Sequence, residues 1–336
     1  MSNCHNLFQT FNGNLSITQT KKSKLMTSRD TLRDKIREYF KEKHPDYKPK
    51  FRGQGSYSMG TMIRTKEDTC DLDNGVYFFP KPKETATTMQ NWIWDAVEDA
   101  TSEKPQHRSK CIRVIYKGDY HIDLPVYYKE SETNDAENPH LAIKNTGWSK
   151  SDPKEFKDWF NKKKDSKGQL VRTVRYLKSW CDNRAKKMPN GLTMTVLASN
   201  KIKYNDRDDI ALRNTLKEIR STLKSSWSCV MPTTPKDDLL ENFTGDKDYF
   251  FDKIDAFIED ADKAIEEKNQ LKASKLWQKH LGSYFPDGED KDVDKQANSL
   301  AAIASSILDK RAKTDRDGKI QEDQGVGHKP HRNYGG

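Results

Sequence analysis

Three aspartates and one glycine–serine pair are the residues of this sequence whose types and spacing suggest chemistry. Gly55-Ser56 lies in "FRGQGSYSMGT", Asp71 and Asp73 follow in "CDLDNGVYF", and Asp123 stands in "YHIDLPVYY". A glycine lets backbone pass close to a bulky anion, although it is also the default residue of any tight turn. If residues 71–78 form a strand, Asp71 and Asp73 project from one face and Leu72 from the other. Asp123, between Ile122 and Leu124, belongs to a second strand. Three carboxylates on neighbouring strands repel one another unless cations neutralise them, and a hard divalent metal takes oxygen ligands in such a cluster. Two Mg²⁺ ions roughly 4 Å apart would activate an attacking hydroxyl and stabilise a leaving pyrophosphate, with Mn²⁺ as a possible substitute. An Asp-X-Asp pair alone is more often a solvated pair at a strand edge. The combination with the Gly-Ser turn and a lone aspartate in an apolar strand carries the reading.

Positioning these residues takes a mixed first half. Residues 22–44 read as an amphipathic helix with Leu32, Ile36 and Phe40 at helical spacing. "TTMQNWIWDAVEDATSE" reads as a second helix. Cys111–Tyr116 and Tyr120–Tyr128 form a hairpin around Lys117-Gly118-Asp119. Residues 129–150 are polar and read as loop. From Asp152 the pattern is helical, over 152–164, 167–185, 190–201, 207–225, 247–268, 269–281 and 297–311, with a proline-broken connection at 227–240. The expected fold class is α+β: a catalytic lobe over 1–150 with an N-terminal helix, a helical lobe over 151–311, and the active site in the cleft between them. Residues 312–336 read as a flexible tail ending in Gly-Gly.

Composition narrows the partners. The net charge of +9 favours anionic ligands, but basic and acidic residues interleave throughout, as in "NKKKDSKG". Small phosphorylated ligands fit this pattern at least as well as a nucleic acid, and we expect no obligatory nucleic-acid partner. Five scattered cysteines show neither a disulfide framework nor a zinc spacing. With no signal peptide and no membrane-length apolar run, a soluble, unexported, cytoplasmic chain is expected. Cys70, Trp92, Trp94 and "WQKHLGSYFP" read as core, and His121 as packing beside Asp123.

With those residues in view, the chain resembles the polymerase-β-like nucleotidyltransferases, and within them the bacterial CD-NTases of CBASS anti-phage defence, relatives of cyclic GMP-AMP synthase. "GQGSYSMGT", "CDLDNGVYF", "YHIDLPVYY", "VRYLKSW", "MPNGLTMTVLAS" and "KLWQKHLGSYFP" carry the likeness over residues 30–310. The resemblance implies that Asp71, Asp73 and Asp123 are catalytic and hold Mg²⁺. It implies that Gln54, Gly55, Ser56, Lys178 and Ser199 contact the nucleotide, and that Asn200 touches a base. It implies a purine-containing cyclic dinucleotide made from ATP and/or GTP, and an effector activated by that product. It also implies an E1/E2-like or E2-like protein that conjugates the chain through Gly336. Two departures stand out: the gap from Ser56 to Asp71 is long, and Asn74 is polar where an apolar residue is usual. Two other activities match parts of the sequence: nucleotide addition to RNA or linear oligoadenylate synthesis, and a catalytically silent protein acting through its tail.

Overall fold

The computed structural model describes residues 2–292, 303–308, 311–318, 320–321 and 326–327. Two helices precede the sheet, α1 (His5–Asn14) and α2 (Gln19–Lys43). The hydroxyl of Thr18 accepts the Lys21 N–H and starts α2, a typical N-cap. Leu25, Leu32, Ile36 and Phe40 then form its buried stripe, so the spacing read from the sequence marks the face that packs on the sheet.

The sheet comprises β1 (Lys50–Gln54), β2 (Asp71–Phe78), β3 (Gln106–His107), β4 (Ile112–Tyr116), β5 (Tyr120–Leu124), β6 (Val126–Tyr128), β7 (His140–Ile143) and β8 (Gly147–Lys150). Short α3 (Gly55–Met59) follows β1, and α4 (Ala86–Val97) crosses from β2 to the second half of the sheet. β2 is the central strand. It pairs antiparallel with β1 on one side and parallel with β5 and β6 on the other. Pro125 has no N–H to donate and separates β5 from β6, yet its carbonyl still accepts the Val76 N–H. The parallel register therefore runs through the break, with Asp71–Asp73 beside His121–Asp123 and Val76–Phe78 beside Val126–Tyr128.

The segment 129–150, expected as loop, contains the hairpin β7–β8. Its strands are only four residues long, and turn-forming residues outnumber apolar ones around them. Pairing with β6 makes them strands, and periodicity does not reveal that contact.

The second lobe is helical: α5 (Pro153–Lys163), α6 (Gln169–Asp182), α7 (Gly191–Lys201), α8 (Asp208–Ser225), α9 (Lys247–Glu266) and α10 (Gln270–Leu281). Its core includes Trp180, Phe257 and Trp277, together with Phe8 and Phe11 of α1. The expected boundary at residue 150 therefore misplaces the N-terminus. Phe8 packs edge-on against Tyr176, Trp277 and Phe285, so α1 belongs to the helical lobe and α2 to the catalytic one. Of the helix expected over 297–311, residues 303–308 are helical, while 297–302 and 309–310 lie outside the described residues. Within the segment read as a tail, β9 (Lys313–Thr314) pairs with both β10 (Ile320–Gln321) and β11 (Val326–Gly327). Gly336 lies outside the described residues. Among the described residues no helix is long and apolar enough to cross a membrane.

Candidate active site

Alternation along β2 divides its side chains between two environments. Leu72, Val76 and Phe78 enter the core under α2 and α4, while Asp71 and Asp73 face the cleft. Parallel pairing sets Asp123 directly beside Asp73. Gly55 begins α3 with φ +66°, and a Cβ there would lie 1.8 Å from Asp73 Oδ2. Both the left-handed backbone and the carboxylate behind it thus require glycine. The three acids, Gly55, Ser56 and Lys178 line one cavity of about 420 Å³ between the lobes. Met59, Phe156, Leu192 and Met231 form its apolar wall.

The acids are not equivalent. Asp71 is half exposed, and its Oδ1 lies 3.0 Å from His121 Nδ1. Asp123 accepts two hydrogen bonds from Arg113, Nε to Oδ1 and Nη2 to Oδ2, both 2.7 Å. Asp73 is partly buried at the back of the cavity. Burial, then the charges of Asp123 and Asp71, push its carboxyl up to about 6, against a weaker opposite pull from Lys178 and Arg113.

Lys178 projects from α6 and donates to the carbonyl and hydroxyl of Thr61, at 3.1 and 3.3 Å. Burial pushes its ammonium down to about 8, partly offset by Asp73. A second cavity of about 520 Å³ shares Ser56, Asp71, Lys178 and Gly191 with the first and is bordered by Lys66, Lys186 and Lys187.

Other expected contacts sit elsewhere. Ser199 is buried in α7, and its hydroxyl donates to the Thr195 carbonyl at 2.7 Å, so it does not line the cleft. Asn200 is exposed and outside the cavity lining. The cleft meets α7 one turn earlier, at Gly191, Leu192 and Thr195, because the N-terminal end of that helix points at the cavity. Gln54 does line the cleft, but its amide donates to Tyr127 OH at 3.1 Å and its carbonyl faces Tyr77 OH at 3.5 Å. Arg113 was not foreseen. A basic residue on a strand usually reads as solvated, and only the register Arg113↔Asp123 shows what it meets.

Whether these residues suit a divalent metal can be judged from the donor set. Asp71, Asp73 and Asp123 offer hard oxygen ligands on one face, and Asp73 carries the raised carboxyl of a group short of positive charge. As they lie, no three His, Cys, Asp or Glu side chains among the described residues are grouped tightly enough to hold an ion. The chemistry fits; the closed ligand cluster expected from the sequence differs, because Asp123 is turned to Arg113 and Asp71 to His121.

Residues 49–127, which hold the Gly-Ser turn and all three acids, match the family model for the cyclic GMP-AMP synthase DncV-like nucleotidyltransferase domain. A cyclic GMP-AMP synthase from Escherichia albertii is 26% identical over 249 residues, covering 67% of this chain and 54% of that protein. The chain spans about half the length of the curated relatives it matches. The crystal structure of Vibrio cholerae DncV, a cyclic AMP-GMP synthase, aligns with TM-score 0.73 at 18% identity, over 85% of this chain and 98% of the other. A structure of the same V. cholerae protein with the linear intermediate 5′ pppA(3′,5′)pG aligns with TM-score 0.72 at 18% identity, over 85% and 97%. The mixed-sheet lobe and the helical lobe thus share the polymerase-β-like nucleotidyltransferase fold.

Proposed function

We propose that the protein joins two purine nucleoside triphosphates into a cyclic dinucleotide, in two successive attacks of a ribose hydroxyl on an α-phosphate. The observation that carries this reading is the meeting of Asp71, Asp73 and Asp123 behind the Gly55-Ser56 turn, with Lys178 across the cleft. In each step the hydroxyl oxygen bonds to the α-phosphorus, the bond to the β-phosphate oxygen breaks, pyrophosphate leaves, and the hydroxyl proton passes to solvent. Such transfers depend on positioning and on balancing phosphate charge.

Each residue has a part in that balance. The backbone at Gly55 lets the triphosphate approach closely, and the Ser56 hydroxyl donates to it. The Lys178 ammonium, held by Thr61, offsets phosphate charge in a setting with little water to screen it. The apolar wall of Met59, Phe156, Leu192 and Met231 takes a base face without hydrogen-bonding it. Asp71, Asp73 and Asp123 would hold divalent metal, Mg²⁺ by the family likeness. When bound, the metal supplies Lewis-acid activation of the hydroxyl and neutralises the phosphates. The linear intermediate seen in the V. cholerae relative supports a two-step order. By the same likeness the product is a second messenger of bacterial anti-phage defence that acts on a separate effector.

The test is incubation with pairs of NTPs and Mg²⁺, with and without RNA, followed by phosphatase treatment and mass spectrometry. A phosphatase-resistant dinucleotide formed without RNA is expected. Products that appear only on an RNA end would replace this reading with RNA tailing.

A further inference from the structure

The third acid of the cleft is already engaged. Asp123 on β5 stands opposite Arg113 on β4 in the antiparallel register, and both of its carboxylate oxygens accept from the guanidinium at 2.7 Å. The two side chains are only 13% and 16% exposed. Paired, planar contacts of this kind are the strongest form of charge-assisted hydrogen bond. The pairing is set by backbone register rather than by a chance rotamer, because β4 and β5 are joined through the tight turn at Lys117–Asp119. The neighbouring acids are held differently: Asp71 faces His121, and Asp73 is opposed by Lys178 and Arg113 through space.

We propose that Arg113 is a positioning residue that latches Asp123 in the nucleotide-free protein and competes with a divalent cation for that carboxylate. The inference rests on the reading of the three acids as metal ligands. A guanidinium and a dication seek the same oxygens, and a fixed positive charge beside the site opposes the entry of a bare dication. A dication that arrives with a nucleoside triphosphate brings compensating negative charge, so the opposition is smaller. The latch thereby makes metal occupancy depend on nucleotide. It also lets the sheet hold three acids side by side, since one of them is neutralised internally.

Titration of the nucleotide-free full chain with Mn²⁺, following free Mn²⁺ by electron paramagnetic resonance, tests the latch. Arg113→Gln is expected to bind Mn²⁺ about tenfold more tightly than the wild type, with Arg113→Lys between them because an ammonium engages fewer carboxylate oxygens. Adding a non-hydrolysable NTP should narrow the difference. Unchanged or weaker Mn²⁺ binding in a folded Arg113→Gln variant overturns the latch. If that variant does not fold, Arg113→Lys against wild type decides by the same sign. An Asp71→Asn/Asp73→Asn control separates the two readings. If it binds Mn²⁺ as well as wild type does, the acids are not metal ligands and both readings fall. If binding needs the acids while the Arg113 series is flat, the latch alone falls.

Discussion

Two aspartates, the partly buried Asp73 in the cleft and the buried Asp208 in the helical lobe, show how differently one side chain can be used. Asp208 sits at the start of α8, and burial alone would push its carboxyl up. Hydrogen bonds from Arg172 and Gln169, with the charge of Arg172, more than reverse that and hold it below the usual carboxylate range. Arg172 donates Nε and Nη2 to it at 2.7 and 2.9 Å, Gln169 Nε2 donates at 2.8 Å, and the Tyr176 hydroxyl lies 2.9 Å away. Asp73 is partly withdrawn from water, but its close neighbours include two more acids, and its carboxyl moves the other way, to about 6. Asp208 is a saturated fastener joining α6 and α8. Asp73 is a carboxylate set among like charges, which suits the cation-binding role proposed for it.

The sharpest contrast comes from removing the acids. Asp71→Ala with Asp73→Ala is expected to lower dinucleotide formation at least ~1,000-fold, since the loss of bound metal removes several kcal/mol of transition-state stabilisation. The variant should melt no lower than wild type in the presence of a chelator. A folded double variant that keeps full activity would sink the mechanism. Asp208→Asn should do the reverse. It leaves Arg172 buried without its counter-charge, at a cost of about 3 kcal/mol of stability, read by urea unfolding, while the turnover of the protein that stays folded barely changes. If Asp208→Asn is as stable as wild type, the helical-lobe cluster is no fastener.

Stability against pH sharpens the comparison further. The Asp73 carboxyl is raised from 3.8 to about 6 in the folded chain, so between those values the folded state binds more protons than the unfolded one. Unfolding free energy in chelator should therefore fall as pH rises from about 4 through about 6, and the deficit should persist above that, at about 2–3 kcal/mol. Asp73→Asn should remove this limb and be the more stable protein at pH 7. The same slope in both proteins would mean that Asp73 is not the strained group. A smaller effect is expected at Lys178, whose role under the proposed function is to meet the substrate phosphates. Lys178→Met should raise KM for NTP about tenfold, the loss of one charged contact worth about 1.4 kcal/mol, and leave the unfolding curve near that of wild type.

What could be read from the sequence divides along the same line. Asp71, Asp73 and Asp123 were legible because strand alternation and an apolar strand context place acids on a face without any knowledge of the partner strands. Lys178 is singled out by the family likeness and not by pattern, since Arg172 and Arg175 lie off the Leu170–Val174–Leu177 stripe as well and do not line the cleft. Arg113 was not legible, since its meaning depends on which residue the register sets opposite it. α1 went unread because its ten residues carry few apolar groups, and Phe8 and Phe11 matter only once α6 and α10 are there to receive them. Asn74, conspicuous as a polar residue after the second acid, turns to the core side of β2, where Arg33 Nε and Nη2 donate to its Oδ1 at 2.9 and 2.6 Å. That partner comes from α2 and is invisible to strand pattern.

Ser199 is where the structure departs from the family likeness, and it gives the smallest expected effect. The family likeness implies a phosphate contact there, but a likeness in sequence does not fix where the cleft meets α7. Asn190 caps the helix by accepting the Thr193 N–H, which turns Gly191, Leu192 and Thr195 toward the cavity and leaves Ser199 a full turn deeper. There its hydroxyl is spent on the Thr195 carbonyl. Ser199→Ala deletes one intrahelical hydrogen bond of the kind that slightly disfavours a helix, so stability should move by no more than about 0.5 kcal/mol, and KM for NTP should not move. Thr195 does line the cleft, with its hydroxyl donating to the Gly191 carbonyl at 2.6 Å, so Thr195→Val, which removes that tie at the cavity wall, should of the two be the one to raise KM. A KM increase in Ser199→Ala with none in Thr195→Val would mean that the triphosphate runs deeper along α7 than the cavity between the lobes indicates.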